Sequence, residues 1–316
     1  MDQSTAHFDL VKLQNQKIIR NLLRREKPQS ISALASKASL TYPTVAALLK
    51  ELNDKGEVIQ NQNPQSSGGR PGVRYELDVH FQYGLVVYFK ESTITAKVYN
   101  VYGQFVEEFS FTVSSALTVD FVESFVDTIM KKYSSITAIS IGIPGVVNNN
   151  DILSLPAFPK LTGTSLGETL KDKFKVEVFI ENDLNAISVA QIKEKESFAH
   201  IAYMKQCIGT GIVLNGDIYT GSKGYAGELE YMCENLQDEE QSLITCIIAL
   251  ICVLNLPLIY ISGECCTEDM VCRILDNLNK LLPANRIPEL QVVKELEVKY
   301  EEGLFRRILS YWENTI

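Results

Sequence analysis

SLTYPTVAALLKELNDKG, residues Ser39 to Gly56, decides how the front of the chain folds, and the rest can be read outward from it. Within it Val45, Leu48, Leu49 and Leu52 recur at i, i+3, i+4 and i+7, the spacing of one buried helical stripe. Pro43 suits the first helical position, where a missing N–H leaves no bond unmade. Gly56 ends the helix as a C-terminal cap. With the stripe turned inward, Thr41, Tyr42, Thr44, Ala46, Ala47 and Lys50 face outward.

Two helices precede it. LVKLQNQKIIRNLLRRE carries Val11, Ile18, Ile19, Leu22 and Leu23 at helical spacing and stops near Lys27 and Pro28. Ser30 then caps SISALASKA, whose Ile31, Leu34 and Ala35 point inward. The short SLT connection into the third helix makes a helix-turn-helix, and EVIQ (57–60) with VRYEL (73–77) supplies the hairpin of a winged version. Such a helix presents Thr and Tyr hydroxyls, alanine methyls and Lys50 to a major groove, Lys50 as a phosphate contact. The turn SGGRPG would hold Arg70 between Gly and Pro for a narrow A·T-rich minor groove. A flexible linker with an incidental Arg, and a small helical protein-interaction domain, are the blander readings of the same residues.

Charge favours the first reading. Residues 1–76 hold eleven Lys and Arg against seven Asp and Glu, whereas the remainder carries a net −13. A basic head on an acidic body suits a protein that meets phosphate with one end. At 316 residues two or three domains are expected. The seven cysteines are odd in number and lack CxxC spacing, so buried free thiols in a reducing cytoplasm are expected rather than disulfides or zinc. Charges throughout the first thirty residues leave no signal-peptide pattern. The apolar run 243–261 is split by Asn255 and Pro257 into a buried helix and a core strand rather than a membrane span.

From Tyr83 the body reads as three strands, YGLVVYFK, STITAKVYNV and QFVEEFSFTV. A helix follows with Phe121, Val122, Phe125, Ile129 and Met130 on one side, and then the strand ITAISIGIPGVV. A second half repeats the plan: VEVFI into a helix near Asp183, the strand AHIAYM, a hairpin turning at Asn215-Gly216, and the Gly-rich TGSKGYAGELEYM. Two such halves around a cleft are the plan of the actin-like sugar kinases.

Five segments in order, SSGGRP, GIPGVV, ENDLNA (181–186), LNGDIYTG and KGYAGELE (223–230), resemble the ROK family of repressors, open reading frames and kinases. The resemblance implies an α/β chain with an N-terminal winged helix-turn-helix (1–77) and a two-lobed actin-like, ribonuclease H-like sugar-kinase domain. Its lobes would span 78–185, with the C-terminal helix 301–316, and 186–300. It further implies a cytoplasmic transcription regulator, a repressor of carbohydrate-related genes, acting as a homodimer or higher homo-oligomer on double-stranded DNA. A sugar or sugar phosphate would be the effector, with no membrane partner. In the family, residues at the positions of Asn182, Asp183 and Glu228 bond sugar hydroxyls, and Ser154 replaces a sugar-site Asn. Asp183 holds the general-base position of the kinases, although a helix N-cap is an equally fair reading of it.

Departures from the family argue against catalysis. Its first phosphate turn, Asp-x-Gly-Gly-Thr, is Tyr88 to Thr93 here and holds no glycine, while Lys205-Gln206-Cys207 replaces half of the second glycine loop. Phosphoryl transfer rests on positioning and charge neutralisation, so a silent enzyme with no cofactor is expected. Tyr231 stands at a zinc-binding His position, and no metal site is expected. A sugar kinase with a DNA-binding extension, and a ligand-blind DNA-binding protein with a decayed cleft, are the competing readings. Where family helices often place Ser-Arg, this one has Ala46-Ala47, so DNA shape and A·T content are expected to carry more of the specificity than reading of G·C pairs.

Overall fold

The computed structural model describes residues 3–26, 28–61, 73–90, 92–204, 207–233, 238–263 and 266–315, with side chains from Leu10 onward. Arg70, Glu91, Lys205, Gln206 and Cys265 lie outside the described residues.

The head comprises α1 (Gln3–Arg25), β1 (Gln29–Ser30), α2 (Ile31–Ala38), α3 (Tyr42–Asp54), β2 (Val58–Asn61) and β3 (Arg74–Leu77). The expected stripe of α3, Val45, Leu48, Leu49 and Leu52, is buried, and with Ile19, Leu23 and Leu34 it forms the head's core. Ser30 caps α2 by accepting the N–H of Ala33. Thr41 caps α3, so Tyr42 takes the first helical position and Pro43 the second, one later than expected. The strands form an antiparallel sheet in the order β1-β3-β2. Two-residue β1 carries no sequence period of its own and was not anticipated.

The body begins with β4 (Tyr83–Lys90), β5 (Thr93–Asn100), β6 (Phe105–Thr112), α4 (Val119–Lys132), β7 (Ile136–Ile143), β8 (Val146–Asn148), β9 (Asp151–Ser154), α5 (Leu166–Phe174) and β10 (Glu177–Asn182). Its sheet runs β10-β7-β4-β5-β6, antiparallel through the β4–β6 meander and parallel across β4, β7 and β10. After α6 (Asp183–Gln191) come β11 (Phe198–Met204), β12 (Cys207–Leu214), β13 (Asp217–Ile218), α7 (Glu239–Val253), β14 (Leu258–Gly263), α8 (Glu268–Leu281), β15 (Glu289–Val292) and α9 (Leu296–Asn314). The second sheet, β13-β12-β11-β14-β15, repeats the design: an antiparallel hairpin on one flank, parallel strands on the other. Asn215 and Gly216 turn the β12–β13 hairpin with positive φ at both positions, as a tight two-residue hairpin requires.

Each sheet has its own outer core, built with α4 and α5 on the first and with α7 and α8 on the second. The apolar run 243–261 divides as expected into α7 and β14, and no helix among the described residues is long and apolar enough to cross a membrane. Helix α4 corrects one expectation: Phe121 is 40% exposed, and Val126 joins Val122, Phe125 and Ile129 on the buried face. The cysteines correct another, because Cys207, Cys252 and Cys272 are exposed while Cys233, Cys246 and Cys266 are buried. Helices α6 and α9 cross between the two sheets, so close at one point that a Cβ on Gly303 would sit 1.7 Å from the carbonyl oxygen of Ala186. Only glycine permits that crossing.

Candidate functional site

Parallel strands bring their loops together at their C-terminal ends, and ligands in open α/β sheets bind there. At the ends of β7 and β10 lies a cleft of about 440 Å3 whose lining includes Ser154, Asn182, Asp183 and Glu228. All four ligand positions expected from the sequence therefore share one cavity.

Their chemistry is not equal. Asn182, rather than Asp183, caps α6: its side-chain oxygen accepts the N–H of Asn185 at 3.0 Å, and its amide donates to the Gly145 carbonyl at 3.0 Å. Asp183 is the first helical residue and accepts the N–H of Leu184 at 2.8 Å. Neither Asp183 nor Glu228 has an ion-pair partner among the described residues. Burial raises the Asp183 carboxyl to about 6, the Leu184 N–H opposing and the charge of Glu228 adding to the rise. Burial, then the neighbouring Glu230, raises Glu228 as well. Uncompensated carboxylates in a cleft mark a candidate binding site, because a ligand offering O–H or N–H donors relieves them.

One further polar group at the cleft, and one outside its lining, are not read from the sequence. Thr210 lines it, is 7% exposed, and its hydroxyl has no hydrogen-bond partner among the described residues. Its signal was visible as a Thr inside a run otherwise Gly-rich. The Tyr300 hydroxyl, on α9 and outside the cavity lining, is also buried without a partner among the described residues; burial and then the charge of Asp183 raise it. A Cβ on Gly142 would lie 2.2 Å from that hydroxyl, so Gly142 makes room for it. Nothing in the sequence links residues so far apart.

The region matching the family's first phosphate turn is occupied differently. Lys90 pairs with Thr93 at the end of the β4–β5 hairpin. Just before it, Tyr88 donates to Glu301 of α9 at 2.9 Å, Tyr99 donates to the same carboxylate at 3.2 Å, and Lys97 bonds it too. The Tyr88 and Tyr300 rings lie 5.6 Å apart. Tyr88, Tyr99, Lys97 and Glu301 are thus bonded together here. Tyr231, at the expected zinc-binding position, is 70% exposed, and no group of three or more His, Cys, Asp or Glu placed to hold a metal occurs among the described residues.

On the head, Tyr42 is 55% exposed, Thr41, Ala47 and Lys50 are exposed, and Thr44 and Ala46 are half-buried. The Thr41 hydroxyl accepts the N–H of Thr44 and lies 2.8 Å from its hydroxyl, so both are committed to capping. Lys50 has no ion pair among the described residues.

Helix α9 joins head and cleft. Near its start stand Tyr300 and Glu301; at its end the Asn314 carbonyl accepts from Lys17 at 3.1 Å, and Glu313 pairs with Arg25 at 3.1 Å while its carbonyl accepts from Asn21. Arg24 stacks over Trp312 at 5.7 Å. Helix α1 in turn holds α3 and its exit, through Lys12 and Gln16 to Glu51 and Arg20 to Glu57 at 2.6 and 3.1 Å.

Two sheets of repeated design closing on a carboxylate-lined cleft define a two-lobed, sugar-kinase-like α/β protein. Residues 93–247 match the model described as the ROK family, and the chain carries a ROK family domain. The xylose repressor of Bacillus spizizenii is 24% identical over 238 residues, which cover 72% of this chain and 62% of that protein. The DNA-binding transcriptional dual regulator NagC of Escherichia coli is 22% identical over 241 residues, covering 72% and 59% respectively. The chain thus spans about three-fifths of the length of the curated relatives it matches. A solved ROK family transcriptional regulator, a homologue of the E. coli MLC protein, superposes with a TM-score of 0.63 at 17% identity, covering 95% of this chain and 99% of the other. Sugar kinases share the fold as well.

Proposed function

We propose that the chain is a sequence-specific DNA-binding transcriptional repressor of carbohydrate-related genes. Its winged helix-turn-helix head, residues 1–77, reads DNA, and a catalytically silent two-lobed body, 78–185 with 301–316 and 186–300, senses a sugar. The observation that carries this reading is the joining of two surfaces by packed helices: Asp183 of the cleft opens α6, α6 crosses α9 at Ala186 and Gly303, and the end of α9 is bonded to α1, which holds α3. Repressor relatives support it further.

The mechanism is population shift. A sugar bonding Asp183 and Glu228 favours one arrangement of the lobes; α9, fastened to the first lobe by Glu301 and to α1 by Glu313 and Asn314, passes that arrangement to the head. On a homodimer, two heads would then meet or miss half-sites about one helical turn, or a multiple, apart. Tyr42, Lys50 and the methyls of Ala46 and Ala47 are the reading surface; Arg70, which lies outside the described residues, is assigned to the minor groove on its sequence alone. Among the described residues beside the hairpin, Tyr88, Tyr99 and Lys97 are bonded to Glu301 rather than free to meet a nucleotide phosphate, which supports a silent body.

Selection of bound fragments from random duplexes, followed by anisotropy titration, should yield one operator motif. Saccharides should release it, and ATP turnover with a hexose panel should be absent. Tight binding that persists after residues 1–77 are deleted would remove the reading, and sugar-dependent ATP hydrolysis would convert it into a kinase.

A further inference from the structure

The cleft is polar at its floor and aromatic at its mouth. Tyr225, 47% exposed, and Tyr231, 70% exposed, both line the cavity that contains Asp183 and Glu228. Among the described residues neither hydroxyl has a hydrogen-bond partner and neither ring packs on another ring. Exposed tyrosines are common singly; two at one cavity mouth, beside unpaired carboxylates, are a different matter.

The Tyr225 backbone is held in place. Gly224 and Gly227 flank it with φ of +78° and +96°. A Cβ on the first would lie 2.6 Å from the Val147 carbonyl oxygen in β8, and one on the second 2.2 Å from that of Thr210 in β12. Backbone bonds from Ala226 to Thr220 at 3.1 Å and from Glu228 to Tyr225 at 3.4 Å close the turn. Tyr231 sits in the helical turn Leu229–Met232 that follows Glu228 directly. A backbone held in position before binding leaves only side-chain rotamers to be fixed when a ligand covers the ring.

The lining also discriminates by charge. It includes three carboxylates, Asp183, Glu228 and Glu230, and no Lys or Arg among the described residues. Among the described residues of the lining a phosphoryl group would meet carboxylates and no cation. Sugar hydroxyls, in contrast, donate to carboxylates, and the C–H face of a pyranose packs on an aromatic ring as apolar surface. The volume, about 440 Å3, lies inside the range that encloses ligands larger than a single small ring.

We propose that the effector is an unphosphorylated saccharide of at least two rings, one bonded to Asp183 and Glu228 and the next lying against Tyr225 and Tyr231. This rests on the sugar-sensor reading above and narrows it to a substrate class. Calorimetry on the full chain would compare xylose, glucose and N-acetylglucosamine with their β-1,4-linked disaccharides and with glucose 6-phosphate and N-acetylglucosamine 6-phosphate. One disaccharide should bind about ten-fold tighter than its monosaccharide, the equivalent of one favourable stacking contact, and the phosphates should bind weakest. Tyr231→Ala should remove that ten-fold advantage and leave monosaccharide affinity and melting temperature unchanged, whereas Tyr231→Phe should keep it. Equal affinity for one and two rings, tighter binding of a 6-phosphate, or indifference to Tyr231→Ala would overturn the inference while leaving a sugar sensor in place. If no saccharide of the panel binds the wild-type chain, the inference and the sensor reading fall together.

Discussion

The two ends of the interlobe region differ in how their polar groups are used. Beside the β4–β5 hairpin, Glu301 receives Tyr88, Tyr99 and Lys97. Across the cleft floor, among the described residues, Asp183 and Glu228 lack cations and the buried hydroxyl of Thr210 lacks a partner, as does that of Tyr300 outside the lining. Burying an unpaired polar group costs free energy that a folded chain recovers only when something binds. The paired end contributes to stability, and the unpaired end is the one where the proposed ligand would supply the missing partners.

Substitutions at the two ends should therefore move stability in opposite directions. Glu301→Ala would leave the half-buried Lys97 with Glu108 alone, at 3.5 Å, and two tyrosine hydroxyls without their acceptor, and should lower unfolding free energy by roughly 1–3 kcal/mol, read from urea denaturation. Asp183→Asn should instead raise it at pH 7.5, by about 1–2 kcal/mol, while abolishing saccharide binding. The sign follows from the carboxyl rising from 3.8 to about 6 on folding. The folded state holds the proton longer, so the wild type loses stability as pH rises between about 4 and about 6 and stays at that lower level above. The advantage of the Asn variant should thus vanish below about pH 4. A stabilised protein at neutral pH with intact saccharide binding would contradict a ligand role for Asp183.

The same contrast recurs on the head, with a smaller effect. Thr41 and Thr44 bond one another and cap α3, whereas Lys50 is exposed and unpaired among the described residues. Lys50→Ala should leave stability within about 0.5 kcal/mol. It should weaken DNA binding several-fold regardless of sequence and make the salt dependence shallower by about one ion. Anisotropy titrations at several salt concentrations measure both, and an unchanged slope would take Lys50 off the phosphate backbone.

What the sequence disclosed follows from the range of each interaction. The stripe of α3 was legible because burial there repeats at 3.6 residues within one segment. The gathering of Ser154, Asn182, Asp183 and Glu228 into one cleft was legible through motif resemblance. Phe121 was misplaced because α4 carries more apolar residues than its buried face can take, and period alone does not say which one is left out. The division of labour between Asn182 and Asp183 was ambiguous because either side chain can cap; the Gly145 carbonyl, 37 residues earlier, settles it. The C-terminal helix was assigned to the first lobe only through motif resemblance, and its bonds to Tyr88 and to α1 were not legible, since Tyr88 and Glu301 meet across 213 residues. Local periods and motifs can be read from a string, but partners that distant cannot.

The finest test of the contrast is one atom. Thr210→Val replaces an unpartnered hydroxyl with a methyl of nearly the same shape. Such an exchange normally destabilises, because a hydroxyl that bonded something leaves its partner unsatisfied. Here nothing is left behind, so stability should hold or rise by up to about 1 kcal/mol. If the hydroxyl completes its bonding only when a saccharide draws the lobes around the cleft, the variant should bind that saccharide several-fold more weakly. A melting temperature that falls on substitution would mean Thr210 already has a partner in the free protein. In that case the unpaired character of the floor rests on its carboxylates alone.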